Sequence, residues 1–153
     1  MTELMVVLAI IGLFTLLAPT MFTHTIRFWY LHTAKVEIQR DARAAFSNIN
    51  RFLRQATYTS ITIDNAAGQP PCSRISFTTV QGQRYLFYQK NNSLYQVAQS
   101  TATLSTNLRY IAFTYPRSDD PTIISVSMTM EKATYQGGTK ALELSVEKVR
   151  IMK

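Results

Sequence analysis

The sequence predicts an α+β chain, with a long N-terminal helix packed on an antiparallel β-sheet. Three observations predict it. An unbroken apolar run opens the chain. A helical period without glycine or proline follows, to about Ala56. Beyond that the period changes to alternation of apolar with hydroxyl side chains. The corresponding divisions are residues 1–22, a membrane-spanning helix; 23–57, its amphipathic continuation; and 58–153, an antiparallel sheet domain packed on the helix.

Leu4 to Phe22 is 19 residues without a charge, and Thr15 and Thr20 are its only polar members. At about 1.5 Å per residue the run spans roughly 28 Å, close to the ~30 Å hydrocarbon core of a bilayer. Leu4, Val6, Val7, Ile10, Ile11, Phe14 and Leu17 are the residues expected to form the membrane span. A cleaved signal peptide would need a basic stretch before the run and small residues after it. Here Glu3 precedes it and Met21-Phe22-Thr23-His24 follows, so the segment is expected to stay attached. Gly12 and Pro19 interrupt the run. Proline removes a backbone donor and crowds the preceding turn, which predicts a kink or local unwinding between them.

The second half of the helix carries Ala42, Ala45, Phe46, Ile49, Phe52, Leu53 and Ala56 at three- and four-residue steps. That spacing makes one apolar stripe. The whole helix would measure roughly 80 Å. The expected strands follow. Ile61 and Ile63, then Ile75 and Phe77, alternate with polar neighbours. Gln81-Gly82-Gln83 and Asn91-Asn92 are hairpin turns flanking Tyr85 to Tyr88 and Leu94 to Val97. A strand runs from about Leu108 to Tyr115. The clearest is Ile124, Val126, Met128 and Met130, which alternates with Ser125, Ser127 and Thr129 as one dry and one wet face. Gln136-Gly137-Gly138-Thr139 then turns the chain into Leu142, Leu144 and Val146. Their phase breaks before Val149 and Ile151, which predicts a β-bulge near Glu147-Lys148. The total is about six or seven strands, with the helix stripe as cover for the sheet.

Little in the composition points to catalysis. His24 and His32, the only histidines, lie about 12 Å apart along a helix and do not share a metal ion within one chain. No metal-binding, phosphate-binding or nucleophile motif appears, so no enzyme, cofactor or metal site is expected. Asp119-Asp120 before Pro121 reads as a solvated turn. Cys72 is the one cysteine, so no internal disulfide forms. Net charge is +7. Part of the excess follows the span, where Arg27, Lys35, Arg40, Arg43, Arg51 and Arg54 face only Glu37 and Asp41. This reads as a solvated or headgroup-facing surface; contact with nucleic acid is the alternative, without a supporting motif.

Glu3 remains. A carboxylate at the bilayer centre costs about 2.5–3.5 kcal/mol and less near an interface. At a helix's first turn it also gains from the macrodipole. Inside a bundle of helices it must be paired, and a neighbour's N-terminal amine is the natural partner.

Thr2-Glu3-Leu4-Met5-Val6-Val7-Leu8-Ala9-Ile10-Ile11-Gly12 resembles the N-terminal prepilin signature of type IV pilins and pseudopilins. That signature ends a short basic leader with glycine, then runs Phe-Thr-Leu-Ile-Glu-Leu-Met-Val-Val and on to Ile-Ile-Gly. Glu3 matches its glutamate, Gly12 its glycine, and Pro19 falls within a residue of its proline. The match covers only the first 20 or so residues. It departs from the pattern in lacking the leader and cleavage-site glycine, and Met1 stands closer to Glu3 than the family's first mature residue does. Cleavage and N-methylation are therefore assigned to no residue. The resemblance implies a single-pass bacterial inner-membrane subunit with an extracytoplasmic sheet domain, although the Arg and Lys after the span pull against that orientation. It implies a role for Thr2 and Glu3 in filament assembly, a kink at Gly12 and Pro19, and other pilin or pseudopilin subunits and assembly platform proteins as partners. The function expected is a structural filament subunit, most similar to a minor pseudopilin of a type II secretion system, nearest its J-type subunit. The alternatives are a minor type IV pilin for DNA uptake, adhesion or motility, and a membrane-anchored enzyme or sensor.

Overall fold

The computed structural model describes residues 2–134 and 140–151 of the chain. Helix α1 runs from Thr2 to Leu53 without interruption, through both Gly12 and Pro19. It ends three residues before Ala56, which instead bridges to Thr79. Only its second half is covered. Ala34, Ile38, Ala42, Ala45, Phe46, Ile49 and Leu53 are its buried residues. Three of these seven are alanine, which lets the backbone approach the strands closely.

A short 3₁₀ turn at Tyr58–Ser60 leads into eight strands in two antiparallel sheets. The first is a meander of β1 (Thr62–Asp64), β2 (Arg74–Thr78), β3 (Arg84–Lys90), β4 (Ser93–Val97) and β5 (Thr101–Ser105). The second is β6 (Leu108–Thr114), β7 (Ile123–Ala133) and β8 (Lys140–Arg150). The single expected sheet is thus divided between β5 and β6, and β5 itself was not foreseen. Its sequence, Thr101-Ala102-Thr103-Leu104-Ser105, alternates through only two apolar side chains, and one of them, Ala102, is small and exposed.

The expected hairpin turns lie where the residues place them. Gly82, at φ +81°, takes the left-handed position between β2 and β3, and Thr79 N–H donates to the Gln83 carbonyl across the turn at 2.8 Å. Asn91 (φ +54°) opens the two-residue link from β3 to β4, a conformation asparagine tolerates better than most. The turn expected at 136–139 lies outside the described residues.

β7 buries Ile124, Val126, Met128 and Met130 on one face, as its alternation predicts. β8 corrects the expectation twice. Its register with β7 is continuous from Lys140 to Arg150, so there is no bulge at Glu147-Lys148. The row with the buried Ala141 and Val149 also holds the half-buried Glu143 and Ser145 and the exposed Glu147, whereas Leu142, Leu144 and Val146 lie on the other face and are 50%, 70% and 60% exposed. The apparent phase slip is an apolar outer row followed by an apolar inner residue on one regular strand.

A single core joins the helix stripe to both sheets and includes Ile75, Phe77, Phe87, Leu94, Ile111, Phe113 and Met128. Phe52 at the helix end stacks on Tyr85 with ring centroids 4.4 Å apart. Polar contacts fix the helix angle. Lys132 on β7 pairs with Glu37, Asn107 donates to Asp41 at 3.3 Å, and Gln39 donates to Glu143 at 3.3 Å.

Candidate functional site

The site is the uncovered part of α1. Thr2 and Glu3 lie in its first turn. Leu4, Val6, Val7, Ile10, Ile11, Phe14 and Leu17 follow, all exposed in the isolated chain, and Leu16 reaches 78%. This helix is long and apolar enough to cross a membrane, and among the described residues nothing buries its most apolar stretch. Such exposure has a clear cost. Each large apolar side chain loses roughly 1.5–3 kcal/mol when left in water rather than buried, so the run as a whole carries tens of kcal/mol. The helix needs a second apolar medium.

Glu3 is the only charge on the helix before Arg27, and no ion pair or hydrogen bond engages it among the described residues. Its position is the electropositive end of the helix, where backbone N–H groups lack partners within the helix. Gly12 and Pro19 both lie on the exposed stretch. A methyl group added at Gly12 would meet no atom of this chain within 4 Å, so the chain's own packing does not require a glycine there. The threonines of the run are quiet: Thr15 and Thr20 donate back to the Ile11 and Leu17 carbonyls at 2.8 and 2.7 Å. A hydroxyl that bonds its own helix adds little polarity to the surface it occupies.

Past the apolar run the helix surface changes character. Phe28, Trp29 and Tyr30 are exposed, next to Arg27. Trp29 and Tyr30 meet edge to face at 5.3 Å. Coverage by the sheet domain begins at the half-buried Leu31, and Ala34 is the first buried residue. Beyond it, folding consumes the helix's acids. Glu37 goes to Lys132 and Asp41 to Asn107 and Arg40. Arg43, Arg51 and Arg54 stay exposed, and among the described residues none of them pairs with a carboxylate.

The remaining candidates separate from one another. His24 and His32 are exposed on the bare helix, and Phe28 packs beside the His32 ring at 6.0 Å. Cys72 is a free, half-buried thiol at φ +57° whose carbonyl accepts from Phe113 N–H at 2.9 Å. Asp120 fastens its own turn by accepting from the Thr122 hydroxyl and N–H, and these bonds hold its carboxyl below the usual carboxylate range. Among the described residues no three His, Cys, Asp or Glu side chains converge as a metal site.

Two features escaped the sequence. One is the exposed Leu142-Leu144-Val146 row, because alternation shows that a strand has two faces without showing which is buried. The other is a groove between α1 and β8, which exists only once the helix docks. What stands is one long N-terminal helix, apolar enough to cross a membrane, packed by its second half on antiparallel sheets, an arrangement compatible with a pilin-like fold. No family model, curated protein or solved structure matches the chain.

Proposed function

We propose that the chain is a non-enzymatic structural subunit of a type IV pilus-like filament, a minor pseudopilin of a type II secretion system. The observation that carries this reading is the bare apolar helix, headed by a lone carboxylate and attached rigidly to a small sheet domain. A simple anchor needs only a span. Here the helix continues from the span into the domain core as one rod, so a pull on the domain acts directly on the span. The membrane-inserted form would stand in the bacterial inner membrane with its domain outside the cytoplasm, where assembly platform proteins deliver it to a growing filament. In the filament the apolar run would pack against other pilin or pseudopilin helices, and Glu3 would pair with a neighbour's N-terminal amine and so set the axial register.

Replacing Glu3 tests the pairing. Glu3→Ala should insert into membranes like the parent, judged by resistance to alkaline extraction, yet fail to join sheared filaments. Glu3→Asp should recover part of the incorporation, because the charge remains but the reach is shorter. Normal incorporation of Glu3→Ala would remove the register role. Failure of both variants to insert would show instead that the carboxylate acts in the membrane.

A further inference from the structure

β8 is an edge strand whose hydrogen-bonding side is open. It pairs with β7 alone among the described residues, and its partnering runs unbroken over eleven residues. It contains no proline or bulge to interrupt a further partner, and its charged side chains, Lys140, Glu143, Glu147, Lys148 and Arg150, restrict which segment can pair with it. Leu142, Leu144 and Val146 present apolar side chains along its outward face.

A groove of about 940 Å³ runs beside this edge. Ser145, Val146 and Glu147 line one wall. Successive side chains on a strand point to opposite faces, so a wall formed by three in a row is the strand's edge and not one of its faces. The opposite wall is α1, with Arg43, Arg51 and Arg54. Asn50 lies among them, and its Oδ1 is buried without a hydrogen-bond partner. Three guanidinium groups against the one Glu147 carboxylate leave the groove basic.

We propose that the open edge of β8 and this groove together bind an extended acidic segment of another polypeptide by strand addition. The segment's main chain continues the β6-β7-β8 ladder. Its alternate side chains divide between two environments. Carboxylates on one side meet Arg43, Arg51 and Arg54, and apolar groups on the other cover Leu144 and Val146. A donor from the segment satisfies Asn50 Oδ1. A second copy of this chain fits poorly, because its net charge is +7 and Glu37 and Asp41 are already engaged. The proposal stands apart from the filament reading and does not depend on Glu3.

The test uses the full chain in detergent micelles and a short fluorescent peptide alternating aspartate with valine, with a lysine-valine peptide and a DNA duplex as comparisons. Anisotropy should show the aspartate peptide binding at least about tenfold more tightly than the lysine peptide, as close charge pairing implies. Hydrogen exchange should slow at β8 amides on addition of the peptide. Arg51→Glu combined with Arg54→Glu should reverse the preference, a gain of lysine-peptide binding that an unfolded variant would not give. Leu144→Lys should weaken both peptides. Equal affinity for the two peptides, protection confined to other strands, tighter binding of the duplex, or self-association through β8 would each overturn the proposal.

Discussion

Gln89 carries three side-chain hydrogen bonds, two of them across the gap between the sheets. Its Nε2 donates to the Asn91 and Arg109 carbonyls at 2.9 and 3.0 Å, and its Oε1 accepts from Ile111 N–H at 3.1 Å. The side chain is almost fully buried, beside the register shift between Leu108 and Tyr110. Gln89→Leu roughly preserves the volume and strands two carbonyls and one N–H. We expect a loss of about 3 kcal/mol, read from the urea midpoint of the full chain in micelles. An unchanged midpoint would mean that main-chain contacts alone hold β6 in place. Nothing in the sequence marks Gln89, because a polar residue in an alternating strand reads as solvent-facing until a second sheet is known to cover it. Glu131 behaves differently. It joins Arg109 and Lys140 and so links all three strands of the second sheet. The Lys140 bond, ahead of the charge of Arg109, holds its carboxyl below the usual range. A depressed carboxyl contributes stability above its unfolded pKa, about 4.3, and loses it as pH falls through the folded value. Asp64, which accepts from Arg74 Nε and Nη2 at 2.5 Å each, and Asp120 shift the same way. Unfolding of the chain should therefore become easier below about pH 4.3, and Glu131→Gln should flatten part of that slope. A slope unaltered in Glu131→Gln would assign the effect to the aspartates.

Helix α1 was the most legible element, since its stripe of three- and four-residue steps needs no knowledge of the partner. Ala42, Ala45, Phe46, Ile49 and Leu53 are buried where that period places them. The upstream pair Ala34 and Ile38 extends the stripe, but His32, Lys35 and Glu37 around it dilute the signal. β8 was the least legible. Leu142, Leu144 and Val146 look like a core face by hydropathy, whereas the row with the buried Ala141 and Val149 also contains Glu143 and Glu147. The helix that docks over it is itself polar there, with Gln39 reaching Glu143. Between these elements sits the Phe28-Trp29-Tyr30 cluster. Trp and Tyr favour the headgroup level of a bilayer, with one end dry and one wet. Trp29 is the chain's only tryptophan, so its fluorescence reports that level without labelling. In vesicles Trp29 emission should shift to the blue, and a spin label near the lipid glycerol should quench it more than one at the acyl terminus. Stronger quenching from the acyl terminus would place the cluster deep in the hydrocarbon and move the span toward the sheet domain.

At the scale of the whole molecule, the change from a helical to an alternating period near Ala56 placed the boundary between the two kinds of structure, and the α+β class followed from that change. The division into two sheets did not follow. It depends on long-range partners, among them Cys72 with Phe113 and Asn92 with Leu108, where main-chain groups far apart in sequence bond directly. The sheet domain grips only the far end of a rod roughly 80 Å long and leaves the near end bare. That geometry has a kinetic consequence. Escape of the bare end into water would have to climb a barrier on the order of tens of kcal/mol, which closes spontaneous release as a route. A bare end held in a bilayer would leave it only with a receiving apolar surface already in contact. The rate of such a departure would follow the abundance of receiving surfaces, and with none nearby the helix would stay in the bilayer.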